Sequence, residues 1–287
     1  METSELLKKV RKIEIKTKGL SKQVFSGEYH SAFKGRGMAF SEVRNYIPGD
    51  EIRTIDWNVT ARFNEPYVKV FEEERELTVM LIVDISGSES FGSDELLKRE
   101  FIAEIGAVLA FSATQNNDKI GAILFSDQIE LYIPPKKGRK HILRIIRELI
   151  EFKPKSNLTN IGEVVQHFNN LVKKRAIAFL ISDFIGQNLE KALKITAKKH
   201  DLIALRIFDQ REKELPNMGL TLFEDGETGK RKWINTSNRR VRETYYNNSL
   251  SREHNILEIF KKSKVDHANI CIQSGYIQPL MNLFKKR

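Results

Sequence analysis

A chain of 287 residues, 40% hydrophobic and 30% charged, has room for one full domain with an appendage or two modest domains, and its composition is that of a soluble globular protein. No apolar run approaches the roughly 18 residues of a spanning helix. Charge interrupts Leu6, Leu7, Val10 and Ile13 where a signal peptide would need continuity, so the expected location is cytoplasmic. The net charge of +10 is spread along the chain without interleaved aromatics, which disfavours nucleic acid as a partner, and the single cysteine, Cys271, excludes an intrachain disulfide and a Cys-based zinc site.

Residues 1–76 open with a helical pattern and continue through Gly27, Gly35, Gly37, a Pro48-Gly49 turn and a short extended run, Tyr67–Phe71, with no βα rhythm. The segment is expected to pack on the body that follows. Pro48-Gly49 fits the centre of a type II turn, in which Gly takes the positive φ. Arg44, Asp50, Arg53, Asp56 and Arg62 read as an ion-pair network fixing the segment, with Phe40 and Trp57 as apolar anchors, or else as a surface that faces a partner.

From residue 77 short apolar strands alternate with amphipathic helices. Strands are expected at Leu77–Val83, Ile120–Phe125, Ile129–Ile133, Ala176–Ile181, Leu202–Ile207 and Ala268–Ile272. Helices are expected at about 94–115, 139–152, 161–174, 188–199, 238–263 and 276–286. That order predicts an α/β fold, a doubly wound and mostly parallel sheet with an irregular N-terminal extension. Only Ser126-Asp127-Gln128 joins the second strand to the third, too short a link for a crossover, so the third should be an antiparallel edge strand. Residues 219–235 read as an inserted β-hairpin, and Cys271 as a core residue.

Chemistry concentrates at strand ends. Asp84 closes the first strand and is followed by Ser86 and Ser88, Asp183 follows the fourth strand, and Thr159 precedes a helix in SNLTNIG. In an open parallel sheet ligands collect at the carboxyl edge, so neighbouring first and fourth strands would bring the two acids together. No Lys or Arg adjoins either acid in sequence, and such a pair must be protonated, paired or metal-bound. Two carboxylates and three hydroxyls, with no thiolate or imidazole, suit a hard cation such as Mg²⁺ or Mn²⁺ and disfavour zinc.

These residues resemble the von Willebrand factor A domain and its metal-ion-dependent adhesion site. The D-x-S-x-S motif matches Asp84, Ser86 and Ser88, the separate Thr matches Thr159, and the later Asp matches Asp183. The resemblance implies that the hydroxyls ligate the ion, that the aspartates act directly or through water, and that a partner's acid completes the shell. The block FSGEYHSAFKGRGMAFSEVRNYIPGDEIRTIDWNVTARFNEPYVKVFEEERE further resembles the hallmark region of a bacterial family of unknown function, number fifty-eight among such families. Its members are commonly encoded beside MoxR-type AAA+ ATPases, which implies an adaptor or co-chaperone role.

Enzyme motifs are incomplete. GETGK, residues 226–230, lacks the phosphate-loop spacing, the six histidines are scattered, Ser86 has no G-x-S-x-G context, and Ser86 also stands where a haloacid-dehalogenase-type phosphatase needs its second acid. The expectation is a non-enzymatic, metal-dependent protein-interaction module, with a metal-dependent hydrolase as the alternative.

Overall fold

The computed structural model describes residues 3–21, 29, 38–73, 76–87, 98–185, 189–226 and 229–287, and their side chains apart from those of 3–7, 38–41 and 71–73. In chain order the N-terminal part holds helix α1 (Thr3–Leu20), strand β1 (Met38–Asn45), the short helix α2 (Trp57–Phe63) and strand β2 (Tyr67–Glu73). The body follows with β3 (Thr78–Asp84), α3 (Lys98–Gln115), β4 (Lys119–Phe125), β5 (Ile129–Lys136), α4 (Arg139–Glu151) and α5 (Ile161–Leu171). It continues with β6 (Ile177–Ser182), α6 (Leu189–Lys199), β7 (Asp201–Phe208), β8 (Leu220–Glu224), β9 (Arg231–Asn235), α7 (Arg239–Ser263), β10 (Asp266–Cys271) and α8 (Ile277–Lys285).

Six strands form one sheet in the order β10, β7, β6, β3, β4, β5, and only the β4–β5 pair is antiparallel. The expected strand pattern, antiparallel edge included, is the one observed, and the arrangement is doubly wound. Central strands are apolar on both faces because helices cover both. Val79, Leu81 and Val83 of β3 point into a core shared with α1, α3, α4 and α8, whereas Met80 and Ile82 point into one shared with α5, α6 and α7. Edge strand β5 is only partly buried, and its Pro134 and Pro135 blunt the open edge.

Strand order reverses at β3. The chain runs outward through β4 and β5, then crosses to β6 on the other side of β3. Helix α3, which follows β3, lies on one face of the sheet and α6, which follows β6, on the other. The loops leaving β3 and β6 therefore part, and a crevice opens at their carboxyl ends. Helices α4 and α5 also lie on opposite faces, so the link between them, residues 152–160, crosses that same edge.

Helix α1 docks on the body. Val10, Ile13 and Thr17, spaced at i, i+3 and i+7, are buried, and ion pairs Lys9–Glu100 and Lys16–Glu104, both 2.6 Å, join it to α3. Glu14 accepts from Arg139 at 2.6 Å at the start of α4. Strands β1 and β2 form a separate antiparallel ribbon. Its turn is closed by Asp50 N–H donating to the Ile47 carbonyl, with Gly49 at φ +113°, as the Pro-Gly pair requires. Arg44 holds Asp50 through two 2.7 Å hydrogen bonds, and together with the Ile47 N–H this lowers the Asp50 carboxyl to about 2. Asp56 caps α2 by accepting from Asn58 and Val59 N–H and pairs with Lys69 at 3.5 Å.

Two expectations for this region are corrected. Trp57 is no anchor: it is 67% exposed at the start of α2, because the short helix presents no buried face. Arg53 and Arg62 stay outside the ion-pair network among the described residues and lie exposed. Gly27, Gly35 and Gly37 and the side chain of Phe40 lie outside the described residues. Cys271 ends edge strand β10 half-buried, its thiol donating to Gln273 Oε1 at 3.1 Å, instead of filling the core.

Candidate metal centre

Because β3 and β6 are parallel neighbours with Val83 opposite Ile181, Asp84 and Asp183 emerge side by side at the carboxyl edge. Both are buried, at 1% and 3% exposure. Asp84 Oδ1 accepts from Ser86 N–H at 3.0 Å, and its Oδ2 accepts from Ser182 Oγ at 2.7 Å. Burial and the neighbouring charge of Asp183 push the Asp84 carboxyl up to about 7, against the pull of the donors on Ser182 and Ser86. Asp183 Oδ1 accepts from Ile185 N–H at 3.0 Å, while the Ser182 hydroxyl also accepts from Phe184 N–H. Phe184 takes a left-handed φ of 60° with its ring buried edge-on against Phe260, a sparsely populated conformation that turns the chain sharply after Asp183.

The other loops close on this pair. Gly87 N–H donates to the Asn157 carbonyl at 3.1 Å, and Asn160 N–H donates to the Ser126 carbonyl just beyond β4. These bonds draw the segment carrying Thr159 against the loop that carries Asp84 and Ser86. Thr159 Oγ1 is buried there without a hydrogen-bond partner among the described residues. A buried hydroxyl left unpaired costs about 1–3 kcal/mol, so this one is fitted to accept a role in ligation. Ser88 lies outside the described residues.

One member of the site is not legible as a neighbour in sequence. Lys98 opens α3 and is completely buried, its Nζ 3.5 Å from Asp183 Oδ2 and 3.4 Å from Glu212 Oε1. Glu212 belongs to a single helical turn just after β7, beside the buried Asp209, and burial raises its carboxyl above the ordinary range. A signal for Lys98 existed. Lys98 shares its helix with Phe101, Ile102 and Ile105, and a lysine on so apolar a helix, once buried, requires an anion nearby.

The residues fit a hard divalent cation. Among the described residues the carboxylates of Asp84 and Asp183 are held in place by backbone and hydroxyl donors, the Thr159 hydroxyl has no partner, and all of these donor atoms are oxygen. Among the described residues no group of three His, Cys, Asp or Glu side chains is placed to hold a metal ion.

Comparison with known proteins places the chain. The uncharacterized protein Rv1480 of Mycobacterium tuberculosis is 29% identical over 223 residues, which cover 77% of this chain and 70% of that protein. The uncharacterized protein YeaD of Bacillus subtilis is 27% identical over 109 residues, 38% of this chain and 25% of its own. Among solved structures, an aerotolerance-related membrane protein from Bacteroides fragilis superposes with a TM-score of 0.50 at 16% identity, over 74% of this chain and all of that one, a likeness of fold alone. No helix among the described residues of the present chain is long and apolar enough to cross a membrane. The family model described as "Protein of unknown function DUF58" matches residues 42–255, across both the β1–β2 ribbon and most of the α/β body, and the chain belongs to that family.

Proposed function

We propose that the protein is a metal-dependent interaction module in which a Mg²⁺ or Mn²⁺ ion, held at Asp84, Ser86, Ser88, Thr159 and Asp183, captures an acidic side chain of a protein partner. The observation that carries the reading is the pair of buried carboxylates, Asp84 and Asp183, at adjacent strand ends, with a third acid, Glu212, close by among the described residues. A bound divalent ion would supply positive charge between these acids and a coordination position for an outside acid. The orphaned Thr159 hydroxyl supports the same reading. The partner implied by the family resemblance is a MoxR-type AAA+ ATPase or its client, met in the cytoplasm.

Thermal unfolding and pull-down test this together. Millimolar Mg²⁺ or Mn²⁺ should raise the melting temperature by several degrees, about 2.7 kcal/mol of stabilisation at a hundredfold excess over Kd, and Asp84→Ala and Asp183→Ala should remove the response. Capture of a MoxR-type AAA+ ATPase should fall in EDTA and in Asp84→Ala. Equal melting responses in wild type and variants would refute the cation site, and hydrolytic turnover lost in Asp84→Ala would reassign the ion to catalysis.

A further inference from the structure

Arg11, Glu14, Ile15 and Lys18 follow one another at i, i+3, i+4 and i+7 along α1, so they share a face of that helix. Together with Gly19, and with Arg139 from the first turn of α4, they line an open cavity of about 380 Å³. Glu14 is the one carboxylate among these six, and Arg139 already holds it at 2.6 Å. That bond, helped by the charges of Lys18 and Arg11, keeps the Glu14 carboxyl below its usual range although burial opposes it. Arg11 and Lys18 are exposed and meet no acid at ion-pair distance among the described residues.

The positive surplus continues onto α4. Lys136 and Lys140 flank Arg139, both exposed, and among the described residues neither is paired with an acid. Arg139 and Lys140 stand in a first helical turn that holds no acid, where the macrodipole disfavours cations. Stability alone would place the opposite charge there. Ile15, 68% exposed, lies in the same wall as the aliphatic stems of Arg11 and Lys18, so the cavity is apolar as well as cationic. That mixture suits an acid joined to an aliphatic side chain better than a bare anion. Strand β5 runs antiparallel to β4 and ends with Lys136 opposite Ile120, so α4 starts at the sheet edge opposite the one that carries Asp84.

We propose that this cavity docks an acidic peptide segment of a protein partner, with a Glu or Asp carboxylate held by Arg11 and Lys18 and a neighbouring aliphatic side chain laid on Ile15. The site goes beyond the cation reading and works without the metal. Charge-assisted hydrogen bonds hold the acid, and Ile15 adds an apolar contact that a free phosphate cannot use. Attraction by the surrounding cations speeds the encounter and fades as ionic strength rises.

Fluorescence anisotropy of a labelled peptide of alternating Glu and Leu tests this on the full chain in EDTA. The wild type should bind it, more weakly as salt rises, and a Gln-Leu peptide should not bind. Arg11→Ala and Lys18→Ala should each weaken binding about fivefold, with melting temperatures unchanged because both side chains are exposed. Ile15→Ser should weaken the Glu-Leu peptide and leave a Glu-Ser peptide as it was. Lys140→Glu should raise the melting temperature while lowering peptide affinity, opposite signs that a purely structural lysine would not give. Asp84→Ala should bind as the wild type does. No binding by the wild type, or equal binding by a variant carrying both Arg11→Ala and Lys18→Ala, overturns the inference and leaves the cation site standing. Loss of binding in Asp84→Ala would overturn it by seating the peptide at the crevice. Binding of inorganic pyrophosphate or of phosphatidylglycerol vesicles that exceeds the peptide's, and is lost in the same arginine and lysine variants, would overturn the peptide as occupant.

Discussion

At the scale of single residues, burial decides which groups do chemistry and which only pack. Asp84 and His200 are both fully buried and displaced in opposite directions from their ordinary values. Asp84 lies where four loops meet, but His200 sits at the end of α6 with its ring 4.5 Å from Phe168, and its Nδ1 accepts from Ala176 N–H. Burial lowers the imidazole from 6.5 to about 4. The folded chain therefore binds this proton less readily than the unfolded one between those values. Stability should be fully present above about pH 6.5 and fall, by up to about 3 kcal/mol, as the pH drops toward 4. Urea unfolding between pH 4 and 7 should show that slope in the wild type, measured in EDTA, and a flatter profile in His200→Phe. An unchanged slope would place the titrating group elsewhere.

Between elements, backbone approach rather than side-chain type sets the geometry. The hairpin of β8 and β9 reaches back over the site: a methyl group placed on Gly87 would collide with the backbone carbonyl of Gly226 at the hairpin tip, with Asn157 Cβ 3.1 Å away. Glycine is required at position 87 for this close approach. Gly87→Ala should push the tip outward, seen as faster amide exchange across 220–235 with the sheet strands unchanged. Protection equal to wild type would mean that the loop yields instead. The hairpin itself is legible in sequence as two strands about a glycine-rich turn, and residues 220–224 and 231–235 form it. Its lodging against the loop after β3 is not legible, since no local pattern encodes which surface an insertion folds over.

On the scale of the whole molecule, the N-terminal helix is part of the core. Val10 and Ile13 join the cluster beneath α3 and α4, and three ion pairs border the contact. Exposed pairs of this kind add little, so the apolar contact dominates. Deleting residues 1–21 should cost roughly 3–6 kcal/mol from these two side chains alone, at about 1.5–3 kcal/mol each, and lower the melting temperature accordingly. A truncated chain as stable as the full one would mean that α1 only rests on the body.

The chain by itself determined the α/β alternation, the antiparallel edge after a three-residue link, the Pro48-Gly49 turn and the placing of Asp84, Thr159 and Asp183 on strand ends and loops. Those features depend on local periodicity, turn chemistry and chain reach, which residues a few positions apart can specify. Only the tertiary structure decided that β3 and β6 are neighbours, that Lys98 and Glu212 join the two aspartates, and that Trp57 faces outward. These depend on which faces meet, and contacts between residues separated by 85 and 114 positions leave no periodic trace in the sequence.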